Sequence, residues 1–136
     1  MKTSKITYLN NLRTEAVHLR SGEKIITDAP IDNNGKGEAF SPTDLAASSL
    51  GSCAITIMGI SGQKEDLIFD GTEIEITKIM TENAPRKIAK IVVEFLMKTN
   101  KILTTEQQEK YEKIAHRCPV SLSLHPEIIQ EFIFKW

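Results

Sequence analysis

The two cysteines of this chain are the residues best suited to nucleophilic or redox chemistry. Cys53 lies in a stretch of apolar and small residues, and Cys118 directly precedes Pro119 much later in the chain. The reactive form of cysteine is the thiolate, so the reactivity of each cysteine depends on whether its surroundings favour a negative charge. The two do not form a CxxC metal motif, and a structural disulfide is not expected in a reducing compartment.

Cys118 has a local setting that favours the thiolate. Pro119 can begin a helical turn, which would place the sulfur at a helix N-terminus, where the partial positive charge of the helix favours an anion. His116 and Arg117 come just before it. These two residues have another interpretation, because basic side chains also complement the C-terminus of a preceding helix.

Cys53 has two interpretations from the residues alone. Free cysteine is a common small core residue, which would make it structural. As a nucleophile it would need a positive charge from elsewhere in the fold, because apolar surroundings disfavour a thiolate. The arginines of the predicted strands, Arg13 and Arg20, are the available suppliers, and small residues beside Cys53 leave room for close approach.

A helix over residues 41–62 carries Cys53 and organises the predicted fold. Ser41 is a good N-cap, Pro42 suits the first helical position, and Asp44 stands where a capping-box acid reaches back. Apolar residues occur on nearly every side of this helix, which predicts burial all round. In a chain of this length, sharing a core with a second subunit is one way to bury it.

The remaining pattern predicts an α+β fold. Three short strands in an antiparallel meander fill the first 30 residues, and a polar loop over residues 32–38 leads to the helix. A hairpin of two long strands follows, turning near Pro85. Next come a helix over residues 106–117 capped by Thr104 or Thr105, a short turn, and an apolar strand over residues 128–136 that is central or interfacial.

Composition limits the partners. The 136 residues predict one domain, 1–136, with 17 basic and 18 acidic side chains, so neither nucleic acid nor a membrane surface is expected to bind. No run of apolar residues is expected to approach the length of a membrane span, and a cytoplasmic location is the default. The three histidines, His18, His116 and His125, share no ligand spacing, so neither a metal site nor a cofactor is predicted.

Two motifs together identify a resemblance to the OsmC/Ohr superfamily. The first combines Ser41-Pro42, Leu45-Ala46-Ala47 and Gly51-Ser52-Cys53 on one buried helix, and the second is Cys118-Pro119-Val120-Ser121. The likeness extends over essentially the whole chain in element order. It is nearer to the OsmC-like and YhfA-like branch than to the organic hydroperoxide resistance proteins.

The resemblance implies an intertwined homodimer, with antiparallel sheets wrapped around central buried helices, and thiol peroxidase activity. Cys53 would be the peroxidatic residue that attacks an organic hydroperoxide and becomes a sulfenic acid. Cys118 would be the resolving residue that forms a disulfide with it, and an external dithiol would reduce that disulfide. Arg13 would stabilise the thiolate and orient the peroxide, with Arg20 as the weaker candidate.

One position departs from the hydroperoxide-resistance branch of the family. There an acid follows the helix-starting proline and orients the arginine, whereas Thr43 stands at that position here and Asp44 comes one place later. At about 100° per residue, Asp44 falls on the opposite side of the helix from Cys53, so capping explains it without catalysis.

Two functions of different classes follow from these residues. The first is a cysteine-based peroxidase that prefers organic hydroperoxides, because an alkyl tail would be well accommodated near the apolar helix. The second is a binding module or redox sensor that holds a small apolar ligand in a pocket at the dimer interface. Thr43 in place of the acid favours the second.

Overall fold

Six strands and three α-helices follow one another along the chain. The computed structural model describes residues 1–136, which form two compact units, Met1–Ala46 and Ala47–Trp136. The elements are β1 (Ser4–Asn10), β2 (Arg13–His18), β3 (Lys24–Asp28), α1 (Pro42–Gln63), β4 (Glu73–Met80), β5 (Ile88–Leu96), α2 (Thr105–Ala115), α3 (Pro119–Ser123) and β6 (Ile129–Lys135). The α+β class is confirmed.

The first unit contains the predicted antiparallel meander. β1 pairs with β2 and β2 with β3, so that Ile6 lies opposite Ala16 and Arg13 opposite Asp28. Between β1 and β2 the chain turns through three residues with positive φ, Asn10, Asn11 and Leu12, and asparagine tolerates this conformation better than most residues. This turn and the register that follows place Arg13 and Asp28 directly across from each other.

The N-terminus of α1 forms as its sequence predicts. The Ser41 Oγ accepts the Asp44 N–H at 3.0 Å, and an Asp44 carboxylate oxygen accepts the Ser41 N–H at 2.9 Å. This reciprocal pair is a capping box, and it satisfies two N–H groups at the start of the helix. Capping therefore accounts for Asp44, as the sequence indicated.

The expectation that α1 is buried all round is wrong for the single chain. Ala47, Leu50, Ala54 and Met58 are fully buried, whereas Ile60 is half exposed. The reason is geometric, because one sheet and two short helices cover only one side of a 22-residue helix. Only that side of α1 contributes to the core of its own chain.

The hydropathy of α1 also corrects the expectation about membrane spans. Over an 18-residue window its mean hydropathy is 1.4, so by length and composition this helix could cross a membrane. The buried core helix of a soluble protein has the same properties. Its four fully buried apolar residues pack into a core with β5 and α2, which is the behaviour of a core helix.

The second unit contains a mixed sheet in the order β4-β5-β6. β4 and β5 are antiparallel neighbours, while β5 and β6 run parallel because α2 and α3 carry the chain back between them. β6 is therefore an edge strand of its own chain. Of the two alternatives that its apolar sequence suggested, the central position is wrong and the interfacial one stays a prediction. The sheet face towards the core includes Ile91, Val93 and Phe95, all fully buried.

The start of α2 confirms Thr104 as the cap. Its side chain accepts the Gln107 N–H, and the Gln107 side chain accepts the Thr104 N–H, which completes a second capping box. Tyr111 and Ala115 are fully buried, so α2 contributes to the core. The Tyr111 hydroxyl donates to the Glu65 carboxylate at 2.8 Å and joins α2 to the end of α1.

Candidate active site

Cys118 lies at the N-terminus of α3, as the Cys-Pro sequence predicts. It is the N-cap of α3, its backbone is extended, and Pro119 occupies the first turn. The Cys118 Sγ accepts the Ser121 backbone N–H at 3.4 Å. The side chain is fully buried in the core. This sulfur is therefore fixed in position and already accepts a hydrogen bond that a thiolate would strengthen.

Cys53 lies near the middle of α1 and is half buried. Its side chain packs against the buried core of the second unit, which includes Cys118, and it lies close enough to Cys118 for the two thiols to interact. The fold thus brings together two thiols that are remote in the sequence. Both are free cysteines in this structure.

The surroundings of Cys118 make it a neutral thiol near neutral pH. Burial raises the pKa of Cys118, the Ser121 N–H opposes that effect by favouring the thiolate, and the neighbouring Cys53 raises the pKa further. Cys118 therefore retains its proton until a reaction removes it. This suits a residue that acts second, because it does not react with oxidants before its partner does.

Arg13 lies at the start of β2 and is held by carboxylates of the first unit. Its Nε donates to one Asp28 oxygen at 2.7 Å, and its Nη2 donates to the other at 2.8 Å and to Glu38 at 3.0 Å. Asp28 is almost completely buried, and the hydrogen bonds from Arg13 hold the pKa of its carboxyl below the usual value against the opposing effect of burial. The guanidinium is thus fixed by a two-point contact.

Asp28 and Glu38 are the residues that the motifs missed. The position after Pro42, where the resemblance would place an acid to orient Arg13, is Thr43, and the acids come instead from β3 and the following loop. Pairing β2 with β3 in the correct register would have placed Asp28 opposite Arg13. The contact of Glu38 with Arg13 could not be predicted in this way, because Glu38 lies in a loop, where strand pairing does not fix the position of a residue. Arg20, the weaker candidate, lies in the exposed turn after β2.

Comparison with known proteins identifies the family. Residues 35–131 match the family described as OsmC-like protein. A crystal structure from Psychrobacter arcticus, of a protein provisionally described as osmotic stress induced and a detoxification response protein, is 46% identical over 99% of this chain and 96% of that chain, with a TM-score of 0.93. The chain belongs to the OsmC-like family. The fold of this family is that of a soluble domain.

More distant OsmC-like structures share the fold. An organic hydroperoxide resistance protein from Legionella pneumophila is 15% identical, with a TM-score of 0.73 over 98% of this chain and 95% of that chain. The organic hydroperoxide resistance protein OhrB of Bacillus subtilis is 18% identical, with a TM-score of 0.66 over 98% of each. No curated protein sequence matches the chain. The superfamily thus includes hydroperoxide resistance proteins, and this chain shares their fold.

Proposed function

We propose that this OsmC-like protein is a thiol-dependent peroxidase that reduces organic hydroperoxides, with Cys53 as the peroxidatic and Cys118 as the resolving residue. The observation that carries the proposal is the contact between a half-buried and a fully buried free thiol. A disulfide between them requires their Cα atoms to come within roughly 4.4–6.8 Å of each other. Hydroperoxide resistance proteins with the same fold support the substrate class.

The first step takes place at Cys53. Its thiolate attacks the distal oxygen of the hydroperoxide, an S–O bond forms, the O–O bond breaks, and the leaving alkoxide takes a proton to become an alcohol. We assign Arg13 the role of stabilising the thiolate and orienting the peroxide. The support for this role is that Asp28 and Glu38 fix its guanidinium, despite the absence of an acid at Thr43.

The second step uses Cys118. As it loses its proton, its sulfur attacks the sulfenic sulfur of Cys53, an S–S bond forms, the S–O bond breaks, and the hydroxide leaves with that proton as water. An external dithiol then reduces the disulfide by exchange and is itself oxidised to a disulfide. Each cycle therefore consumes one hydroperoxide and one dithiol.

We further propose a homodimer in the cytoplasm. The apolar side chains that a single chain leaves uncovered support the dimer, since Ile6 and Tyr8 on β1 and Ile60 on α1 are each at least half exposed. Sedimentation measurements on the purified protein test it directly. A monomer at micromolar concentration would contradict this part of the proposal.

Turnover of cumene hydroperoxide with a dithiol reductant tests the peroxidase. The wild type is expected to consume the peroxide faster than the Cys53→Ser variant, and to prefer it to hydrogen peroxide. Equal consumption by both proteins, at the uncatalysed rate, would reject the enzyme.

The second candidate is a binding module. The site proposed for its apolar ligand is a pocket at the dimer interface. Within one chain, an open surface pocket of about 370 Å³ in the second unit is lined in part by Met97, Leu103 and Trp136, with Lys101 and Gln108 among its polar residues. This volume lies within the usual range for small-molecule sites. Native mass spectrometry of the purified protein discriminates the two functions, because a retained apolar ligand supports the module and an empty protein with peroxidase turnover supports the enzyme.

A further inference from the structure

α3 begins directly after its N-cap residue Cys118, and it is too short to hold its own position. It spans only Pro119–Ser123, about one turn, and isolated helices of that length are not stable. The last carbonyl groups of a helix accept no hydrogen bond from an N–H of the same helix, so they need donors from elsewhere. The Ser121 carbonyl has such a partner, because the Gln130 Nε2 on β6 donates to it at 3.0 Å.

Gln130 contacts Ser121 a second time. The Ser121 hydroxyl lies 2.6 Å from the Gln130 Oε1, to which it donates, and 3.2 Å from the His116 carbonyl. One amide side chain therefore binds both the backbone and the side chain of a single residue. This two-point contact fixes Ser121 relative to the sheet, and it is half buried, where a lost hydrogen bond is not fully replaced by water.

Ser121 is also the residue whose N–H donates to the Cys118 sulfur, at 3.4 Å. We propose that Gln130 is a positioning residue for Cys118: by holding Ser121, it keeps this N–H directed at the sulfur that must become a thiolate when it attacks the Cys53 sulfenic acid. Gln130 touches neither sulfur in this role and acts only through Ser121. The kinetic part of the inference rests on the proposed function, whereas the effect on the Cys118 thiol does not.

The expected effect follows from what the N–H does. In a buried site the hydrogen bond from Ser121 favours the charged form of Cys118 and opposes the effect of burial. If Gln130 no longer holds Ser121, this bond lengthens or is lost, and the pKa of Cys118 rises by about one unit, the size of one such bond. At a fixed pH below that pKa, the thiolate fraction then falls about tenfold.

A titration that needs no peroxide tests the inference. In the Cys53→Ser variant Cys118 is the only cysteine, so the Cβ signal of cysteine labelled with carbon-13 reports its ionisation alone. Adding Gln130→Met, which preserves length but removes both hydrogen bonds, is expected to raise the titration midpoint by about one pH unit. Glu131→Gln is the matched control, because the next residue of β6 points to the other face and pairs with Lys90. Its midpoint is expected not to move.

A folded Gln130→Met protein with an unchanged midpoint would overturn the inference. If this variant does not fold, Gln130→Asn serves instead, since the shorter side chain keeps its polarity but cannot span both contacts to Ser121. An unchanged midpoint there would equally overturn it. A residue that only stabilises the fold would lower the unfolding temperature without moving the midpoint.

The kinetic arm uses the protein with both cysteines. Trapping the sulfenic acid with dimedone after one equivalent of cumene hydroperoxide measures its lifetime, which Gln130→Met is expected to lengthen about tenfold while Cys53 oxidises at the wild-type rate. An unchanged lifetime contradicts the positioning role in the reaction. If the wild type forms no sulfenic acid at all, the proposed function fails, and the titration still decides the role of Gln130.

Discussion

The two cysteines are in contact, yet their surroundings differ in almost every respect. Cys118 is fully buried, begins a helix and accepts a backbone N–H, whereas Cys53 lies in the middle of a long apolar helix and is half buried. A hydroperoxide from solvent can approach the half-buried sulfur more readily, and burial protects the other. The contrast teaches that access and hydrogen bonding, rather than local sequence, separate the roles that we propose for two like residues.

The largest expected effect comes from removing one sulfur at a time. Cys53→Ser is expected to reduce peroxide turnover at least roughly a thousandfold, because the attacking atom is lost. Cys118→Ser is expected to leave the first oxidation intact and to stop disulfide formation, so that sulfenic acid persists. Rapid-quench mass spectrometry of the oxidised proteins distinguishes the two products. If Cys118→Ser alone abolished the first oxidation, the roles would be reversed.

The next largest effect is expected from Arg13, whose positive charge we propose to stabilise the Cys53 thiolate. Arg13→Ala is expected to slow the first oxidation roughly a hundredfold, the usual cost of removing a preorganised group that stabilises developing charge. Arg20→Ala is the matched comparison, because Arg20 lies in an exposed turn and is the competing candidate. The measurement is the second-order rate constant for the oxidation of Cys53 by cumene hydroperoxide. A larger loss in the Arg20 variant would transfer the role to that residue.

The sequence predicted those features that depend on local chemistry. The Ser41–Asp44 and Thr104–Gln107 capping boxes follow from side chains three positions apart, and the cap at Cys118 follows from the proline after it. The order of elements follows from hydrophobic periodicity. These signals are local, so one sequence was enough to read them.

The features that the sequence did not predict all depend on tertiary register. Asp28 reaches Arg13 only because of the pairing of β2 with β3, and Gln130 reaches Ser121 only because β6 returns parallel to β5. The one-sided burial of α1 also depends on how much surface the rest of the chain can cover. Neither composition nor periodicity contains that information.

Glycine substitutions in α1 are expected to have a smaller effect. They change the stability of the helix that carries Cys53 without changing the thiol itself. A Cβ at Gly62 would lie 2.6 Å from the Leu67 carbonyl oxygen, whereas a Cβ at Gly59 would meet nothing within 4 Å. Gly62→Ala is therefore expected to lower the free energy of unfolding by about 2–3 kcal/mol. Gly59→Ala is expected to raise it by about 0.5–1 kcal/mol, because alanine favours the helix.

Urea denaturation followed by fluorescence of Trp136, the single tryptophan, measures both glycine variants. The rate of Cys53 oxidation in the folded proteins is expected to match the wild type. Equal destabilisation by the two substitutions would contradict this prediction, because the clash at Gly62 and the open space at Gly59 would then not decide the stability effects.

Alkaline pH is expected to weaken the core on the Cys118 side. Burial and the hydrogen bond to Glu65 raise the pKa of Tyr111 from its usual 10.0 to about 12, and burial raises the pKa of Cys118. Both groups are neutral when folded and ionise more readily when unfolded, so stability is complete below their unfolded pKa values and falls as pH rises through the folded ones. Tyr111 contributes a loss on the order of 2 kcal/mol between pH 10 and 12.

Unfolding free energies measured across this alkaline range test that contribution. Tyr111→Phe is expected to flatten the decline above pH 10, since phenylalanine cannot ionise. An identical pH dependence in wild type and Tyr111→Phe would contradict the role given to burial and Glu65.

The smallest effect lies in α2, the helix that leads directly to Cys118. Thr104→Ala removes the side-chain acceptor of the capping box and is expected to cost about 1 kcal/mol of unfolding free energy. Thr105→Ala, one position later and exposed, is expected to stay within about 0.5 kcal/mol of the wild type. Since Cys118 is held by Ser121 and Gln130 rather than by the start of α2, its titration midpoint should not change in either variant. A shifted midpoint in Thr104→Ala would mean that α2, and not β6, sets the position of the buried thiol.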